Sequence, residues 1–260
     1  MKKLKQYQYE RYAILCQMAY PGSHFSYPET LAPFNERLIM DQHGRIGVRV
    51  LWREDKKEVI VVFRGSITMQ DWLGNLCFVP VRYQASAGRI HWGFKRLLEQ
   101  PMYSSHKSRD QAIALQELLM RVLTPLVKAN KRFTFIGHSS GGAIACIFAN
   151  IFEQKFPQKV KRVVTFGQPA FGTFSYRRHY KLHNKTYRIC CDLDIVTYMP
   201  LVPYMYWHIG KMLWLHDDQI YENTPTHERF LRSMKSWILR PITYHYMKKY
   251  IRNKTLFDEH

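Results

Sequence analysis

Acid is scarce in this sequence. Its 260 residues hold 20 Asp plus Glu against 39 Lys plus Arg, a formal charge of +19 with His neutral, and the pI is 9.8. Such an excess calls for a polyanionic neighbour: nucleic acid, an anionic membrane surface or an acidic substrate. Cysteine is scarce too. The five residues, at 16, 77, 146, 190 and 191, include no C-x-x-C pair. That argues against a disulfide framework or a zinc ribbon and points to reduced thiols. Internal repeats, low-complexity tracts and a linker long enough to divide the chain are also missing, so one domain over residues 1–260 is expected. The basic start MKKLKQYQYER leads into no apolar core, which argues against a cleaved secretory signal. A 20-residue stretch, Phe133 to Phe152, carries no formal charge, but Gly-His-Ser-Ser-Gly-Gly at its centre breaks it. It reads as a buried strand, a turn and a buried helix rather than a membrane span. The expected location is the cytoplasm or the periphery of a membrane surface, with leaderless export left open.

What is present is apolar enough to fold: 46% of residues are hydrophobic and 15% aromatic, which excludes intrinsic disorder. Residues 6–20 read as a helix with Tyr9, Ala13, Cys16 and Tyr20 on one face. RIGVRVLW from Arg45 alternates like a half-buried strand, and EVIVVF after it is a β-branched run suited to a central strand, so 45–63 reads as a hairpin entering a sheet. A long helix is expected from Ser108 to Asn130, with Pro125 near its end. Strands follow at 131–137, 160–167 and 187–191, with a helix over 143–153. Strands alternating with helices imply an α/β layer fold.

Gly137-His138-Ser139-Ser140-Gly141 matches G-x-S-x-G in one register only, since centring on Ser140 requires Gly at 138. A sharp strand-to-helix turn needs glycine at both flanks, because a Cβ there meets neighbouring backbone. The turn holds the serine above the sheet at the positive end of a helix. FTFIG before it is a good strand and GGAIACIFANIF after it a good helix. A serine hydroxyl needs a base, an orienting carboxylate and an oxyanion hole to attack an ester.

These residues resemble the class 3 lipase family of α/β-hydrolases. VIVVFRGS (59–66) resembles its oxyanion strand, DWLGNLCFVPV (71–81) its lid, HWGF (91–94) its H-x-G-F, and GHSSGGA (137–143) its elbow. VVTFGQPAFG (163–172), RICCDLDIVTYMP (188–200), YWHIG (206–210) and HYMKKYI (245–251) follow in family order. The resemblance implies an α/β-hydrolase fold: a central, mostly parallel sheet flanked by helices, with a short helical lid. It implies Ser139 as nucleophile, Asp194 as acid and His245 as base, with Ser66 and Ser140 forming the oxyanion hole. Asp192 is the rival acid; His208, His216 and His227 are the rival bases, the last two read as surface residues. Two positions depart from the family: Tyr244 stands where Asp usually precedes the histidine, and Ser140 where an apolar residue is usual.

Met69, Trp72, Leu73 and Leu76 fall at helical spacing directly after Ser66, as a lid with one apolar face requires. Residues 195–210 carry no formal charge, are rich in Tyr and broken by Pro200 and Pro203, and suit a wall of an acyl groove. The basic residues cluster: nine lie between Gln154 and Cys191 with no acid, and eight between Thr224 and Phe257 against Glu228 alone. Such clusters attract anionic lipid headgroups, and no nucleic-acid-reading motif accompanies them. His179 and His183, without a carboxylate partner, read as surface residues rather than metal ligands. The expected function is a serine carboxylic-ester hydrolase cleaving acyl esters of glycerolipids, with no metal or organic cofactor. A phospholipase A1-type activity on anionic phospholipids, a non-catalytic hydrolase-like module bound to membrane or nucleic acid, and a peptidase with the same triad stand as alternatives. The oligomeric state is left open.

Overall fold

The computed structural model describes residues 4–23, 34–66, 79–83, 88–104, 112–200, 204–233 and 243–258. The lid residues Met69, Trp72, Leu73 and Leu76 lie outside them, as does Ser108.

Twelve strands are described: β1 (Asn35–Met40), β2 (Ile46–Trp52), β3 (Glu58–Phe63), β4 (Pro80–Arg82), β5 (Arg89–His91), β6 (Pro101–Ser104), β7 (Ile113–Ala114), β8 (Arg132–His138), β9 (Val160–Phe166), β10 (Thr186–Cys191), β11 (Lys211–His216) and β12 (Gln219–Glu222). Ten form one sheet in the order β12-β11-β10-β9-β8-β3-β2-β1-β6-β7, and β4-β5 is a separate ribbon. The five strands from β3 to β11 at its centre run parallel. The flanks are antiparallel, including the expected β2–β3 hairpin. The expected α/β-hydrolase fold is therefore present, with a parallel centre and antiparallel margins.

The helices are α1 (Gln6–Met18), α2 (Trp92–Glu99), α3 (Leu115–Lys128), α4 (Ser140–Lys155), α5 (Phe174–His179), α6 (Thr226–Ser233) and α7 (Met247–Arg252). Alternation along the central strands splits the apolar residues between two faces. On β3, Val59, Val61 and Phe63 join the core under α2, α3 and α4, while Ile60 and Val62 join the core under α1 and α7. Phe133 and Phe135 of β8 meet Phe152 of α4 at ring distances of 4.7 and 5.4 Å. On the other face Tyr9 of α1 stacks on Phe257 at 4.1 Å and donates its hydroxyl to the Tyr250 carbonyl. Phe133 to Phe152 is thus β8, a turn and α4, buried for most of its length. Among the described residues no helix is long and apolar enough to cross a membrane.

The long helix starts later than its periodicity implied. Ile113 and Ala114 pair with β6 as a strand, and the Leu115 amide donates to the Gln100 carbonyl. Sheet pairing claims residues that their helical spacing assigned to α3. Pro125 sits one turn from the end of α3, where its missing N–H costs a single helical bond.

Candidate active site

The chain leaves β8 at His138 and enters α4 at Ser140, so one residue, Ser139, makes the turn. It adopts φ 56° and ψ −132°, a region that non-glycine residues pay about 1–3 kcal/mol to occupy. The flanking glycines make this possible. A Cβ on Gly137 would come within 2.5 Å of the Gly141 carbonyl carbon, and one on Gly141 within 2.5 Å of the Phe63 carbonyl oxygen. The Ser139 amide donates to the Phe166 carbonyl at 2.9 Å, tying the turn to the end of β9.

Gly167 follows Phe166, and the structure brings Asp194 and His245 together against it. His245 Nδ1 lies 2.9 Å from both carboxylate oxygens of Asp194. Gly167 has φ +57°, and a Cβ there would stand 2.6 Å from Asp194 Oδ2 and 2.9 Å from His245 Nδ1. Close approach and a left-handed backbone both demand glycine at this position. Asp194 is 0% exposed. Its Oδ1 accepts from the Val196 amide at 3.0 Å and its Oδ2 from the Tyr250 hydroxyl at 2.5 Å. Burial pushes the carboxyl up, but the charge and hydrogen bond of His245 and the Tyr250 hydroxyl outweigh it and hold Asp194 below the usual carboxylate range. An ionised Asp194 fixes the proton of His245 on Nδ1 and leaves Nε2 as the basic nitrogen.

A second histidine braces the first. The rings of His138 and His245 lie 4.5 Å apart. His138 Nε2 donates to the His245 carbonyl at 2.7 Å, and its Nδ1 therefore accepts from the Tyr20 hydroxyl, also at 2.7 Å. Burial, helped by the neighbouring His245, lowers His138 to about 3, so it is a neutral strut and not a proton carrier. Ser139 thus sits one residue from a ring that touches His245 and is bonded to the residue before the glycine under the Asp194–His245 pair.

The rivals go elsewhere. Asp192 bonds His216 Nδ1 at 2.9 Å, a separate pair at the ends of β10 and β11. His216 is buried and stacked on Trp214 at 4.3 Å, not the surface residue its sequence position implied; the aromatic strand around it supplies the cover. His208 donates Nε2–H to the Thr197 carbonyl, and His227 is exposed. His179 ends α5 while His183 opens the next 3₁₀ turn, so the two do not share a helix face.

Ser66 and Ser140 also meet, though not as an open oxyanion hole. The Ser66 amide donates to Ser140 Oγ at 2.9 Å, and the two hydroxyls lie 3.1 Å apart. The side chain that departs from the family pattern holds the amide the sequence had left free. Beside Ser66 opens a cavity of about 600 Å³ whose lining includes His91, Trp92 and Phe94. Tyr250, His138, Tyr20 and Gly167 were not singled out from the sequence. For Tyr250 the available signal was an aromatic residue five positions after His245 in an otherwise basic helix.

Comparison with known proteins fits this geometry. The chain is 27% identical over 172 residues to a lipase of Rhizomucor miehei, covering 64% of this chain and 44% of that protein. It is 27% identical over 161 residues to a chloroplastic phospholipase A(1) of Arabidopsis thaliana, covering 57% of this chain and 35% of that one. The chain spans about half the length, or less, of these curated relatives. The structure superposes on a lipase from Rhizopus microsporus var. chinensis with a TM-score of 0.67 at 17% identity, covering 92% and 85% of the two chains. On the Rhizomucor miehei triacylglyceride lipase the TM-score is 0.64 at 22% identity, covering 82% and 80%. Residues 60–204, more than half of the chain and including the Ser139 turn and Asp194, match the lipase (class 3) family, and this protein belongs to it.

Proposed function

We propose that residues 1–260 act as one catalytic domain, a serine carboxylic-ester hydrolase that cleaves acyl esters of glycerolipids. The observation that carries this reading is the buried Asp194–His245 pair set against Gly167 beside the strained Ser139 turn. Ser139 Oγ attacks the ester carbonyl while His245 Nε2 takes its proton. Asp194 stabilises the imidazolium, which then protonates the leaving alkoxide. The Ser140 amide at the start of α4, and the amide and hydroxyl of Ser66, take the oxyanion. Water, activated by His245, frees the acyl enzyme. The formal charge of +19 supports approach to an anionic lipid surface. The test is a panel of tributyrin, a diacylglycerol, zwitterionic and anionic phospholipids, and a peptide amide. Turnover of at least one lipid ester without amide cleavage is expected; turnover of none, in detergent or on vesicles, overturns the reading.

In the resting arrangement Ser140 Oγ competes for the Ser66 amide. Breaking one such bond costs about 1 kcal/mol net, so Ser140→Ala is expected to raise kcat on p-nitrophenyl butyrate about fivefold. A fall in kcat would mean that the hydroxyl is needed to hold Ser66 in place.

A further inference from the structure

Three arginines converge on a groove beside the Asp194 loop with no carboxylate to meet them. Arg188 on β10 is 6% exposed and Arg229 on α6 is 1% exposed. Arg229 Nη2 donates to Thr197 Oγ1 at 2.7 Å and Nη1 to the Met212 sulfur at 3.3 Å; Arg188 Nη1 reaches only the Cys190 sulfur at 3.4 Å. The Nε atoms of both are buried without a hydrogen-bond partner, and neither guanidinium forms an ion pair among the described residues. Arg229 lies instead over the rings of Tyr198 and Trp214, at 4.7 and 5.8 Å. Arg177, exposed on α5, covers Trp207 at 5.6 Å and stands on the rim.

Buried cations are ordinarily paired, because desolvating a charge is expensive and like charges at close range add to the cost. Burial and the charges of Arg188, Arg229 and Arg177 together hold His208, at the centre of this group, well below the usual imidazole range. Even the histidine gives up its proton to the local field. A site this positive and this dry lacks an anion. The groove has a volume of about 950 Å³ and is lined by Arg177, Arg188, Tyr198, Trp207 and His208, a size that holds a small organic ligand. It adjoins the reaction centre at two points. Thr197 and Tyr198 follow Asp194 directly in the chain. Tyr206, on the groove wall, meets His91 of the Ser66 cavity at a ring distance of 5.4 Å.

We infer that this groove binds a phosphate ester, the headgroup phosphate of a glycerophospholipid whose acyl ester lies at Ser139. The inference rests on the hydrolase reading for its second half only; the phosphate site stands on the arginines. A phosphate oxygen accepts from Arg188 in the wall and Arg177 on the rim, guanidinium being well matched to a phosphate, while Arg229 contributes field from behind Tyr198.

The test has a binding arm and a turnover arm. In the first, thermal unfolding is followed with inorganic phosphate or glycerol 3-phosphate against chloride at matched ionic strength. Either phosphate is expected to raise the unfolding temperature of the wild type by several degrees. Arg188→Met, which keeps the volume, and Arg177→Ala, on the exposed rim, should lose that rise; Lys248→Ala, an exposed charge on α7, should keep it. In the second, dioctanoyl phosphatidylglycerol and dioctanoylglycerol are compared in the same neutral micelles. The rate ratio is expected to fall at least tenfold in both arginine variants and to stay put in Lys248→Ala. Equal phosphate stabilisation of all four proteins, or of none, overturns the site. Stabilisation lost in the arginine variants with an unmoved rate ratio identifies a free phosphate ligand and overturns the headgroup assignment. If Arg188→Met does not unfold cooperatively, Arg177→Ala and Arg188→Lys carry both arms. Absence of turnover on every ester is failure of the hydrolase reading alone, and the thermal arm still decides the phosphate site.

Discussion

Ser139→Ala is expected to lose ester hydrolysis by about 10⁴-fold or more and to lose labelling by a fluorophosphonate probe altogether. Labelling equal to wild type would move the nucleophile elsewhere. The substitution separates chemistry from fold, because alanine retains a Cβ and therefore the strain of φ 56°. Ser139→Gly removes both. It should be as inactive as Ser139→Ala yet more stable than wild type by about 1–3 kcal/mol, read as a higher urea midpoint at unchanged slope. A serine held in a conformation that glycine prefers is retained against stability, which is the behaviour of a residue kept for its hydroxyl. If Ser139→Gly is no more stable than Ser139→Ala, the turn is not strained and the argument from its backbone fails.

The elbow was legible because its constraint is local: two glycines must flank the turn, and both the strand before and the helix after carry their own periodicity. The central strands were legible for the same reason, their β-branched runs marking burial on both faces. The pairing of Asp194 rather than Asp192 with His245 came from ordered motifs, not from spacing. Both aspartates lie within one turn of the end of β10, and only the docking of α7 decides between them. Elements whose state depends on distant partners escaped. Tyr250 reaches Asp194 because α7 packs under α1, where Tyr9 bonds its carbonyl. Ile113–Ala114 is a strand only because β6 lies alongside it. His216 is buried by Trp214, two residues away on the same strand face, a cover invisible until β11 is placed in the sheet. The hydroxyl of Ser140 looked irrelevant because only its amide mattered to the chemistry; what it touches, the Ser66 amide, lies 74 positions away in sequence.

Asp194→Asn should cost about 10⁴-fold in kcat, while Asp192→Asn should change it by no more than about twofold, as expected for a surface change away from the reacting groups. The asymmetry follows from what each carboxylate accepts. Asp194 receives His245 Nδ1–H, the Tyr250 hydroxyl and the Val196 amide, so every lone pair facing protein is in use. An asparagine must turn its NH₂ toward one of these donors. Turned toward Nδ1, it stabilises the tautomer with the proton on Nε2 and removes the base that Ser139 needs. Turned toward Val196, it sets two donors against each other in a site with no water to separate them. Asp192 faces His216 and solvent instead. Stability gives an independent check with a definite sign. The folded Asp194 carboxyl lies below its unfolded value of about 3.9, so its stabilisation is complete above that value and is lost as pH falls through the lower folded one. The urea midpoint of wild type should exceed that of Asp194→Asn clearly at pH 7, and the gap should narrow once the pH drops below about 4. A gap independent of pH would show that Asp194 is not ionised in the folded protein, and the assignment of the His245 tautomer would fall with it.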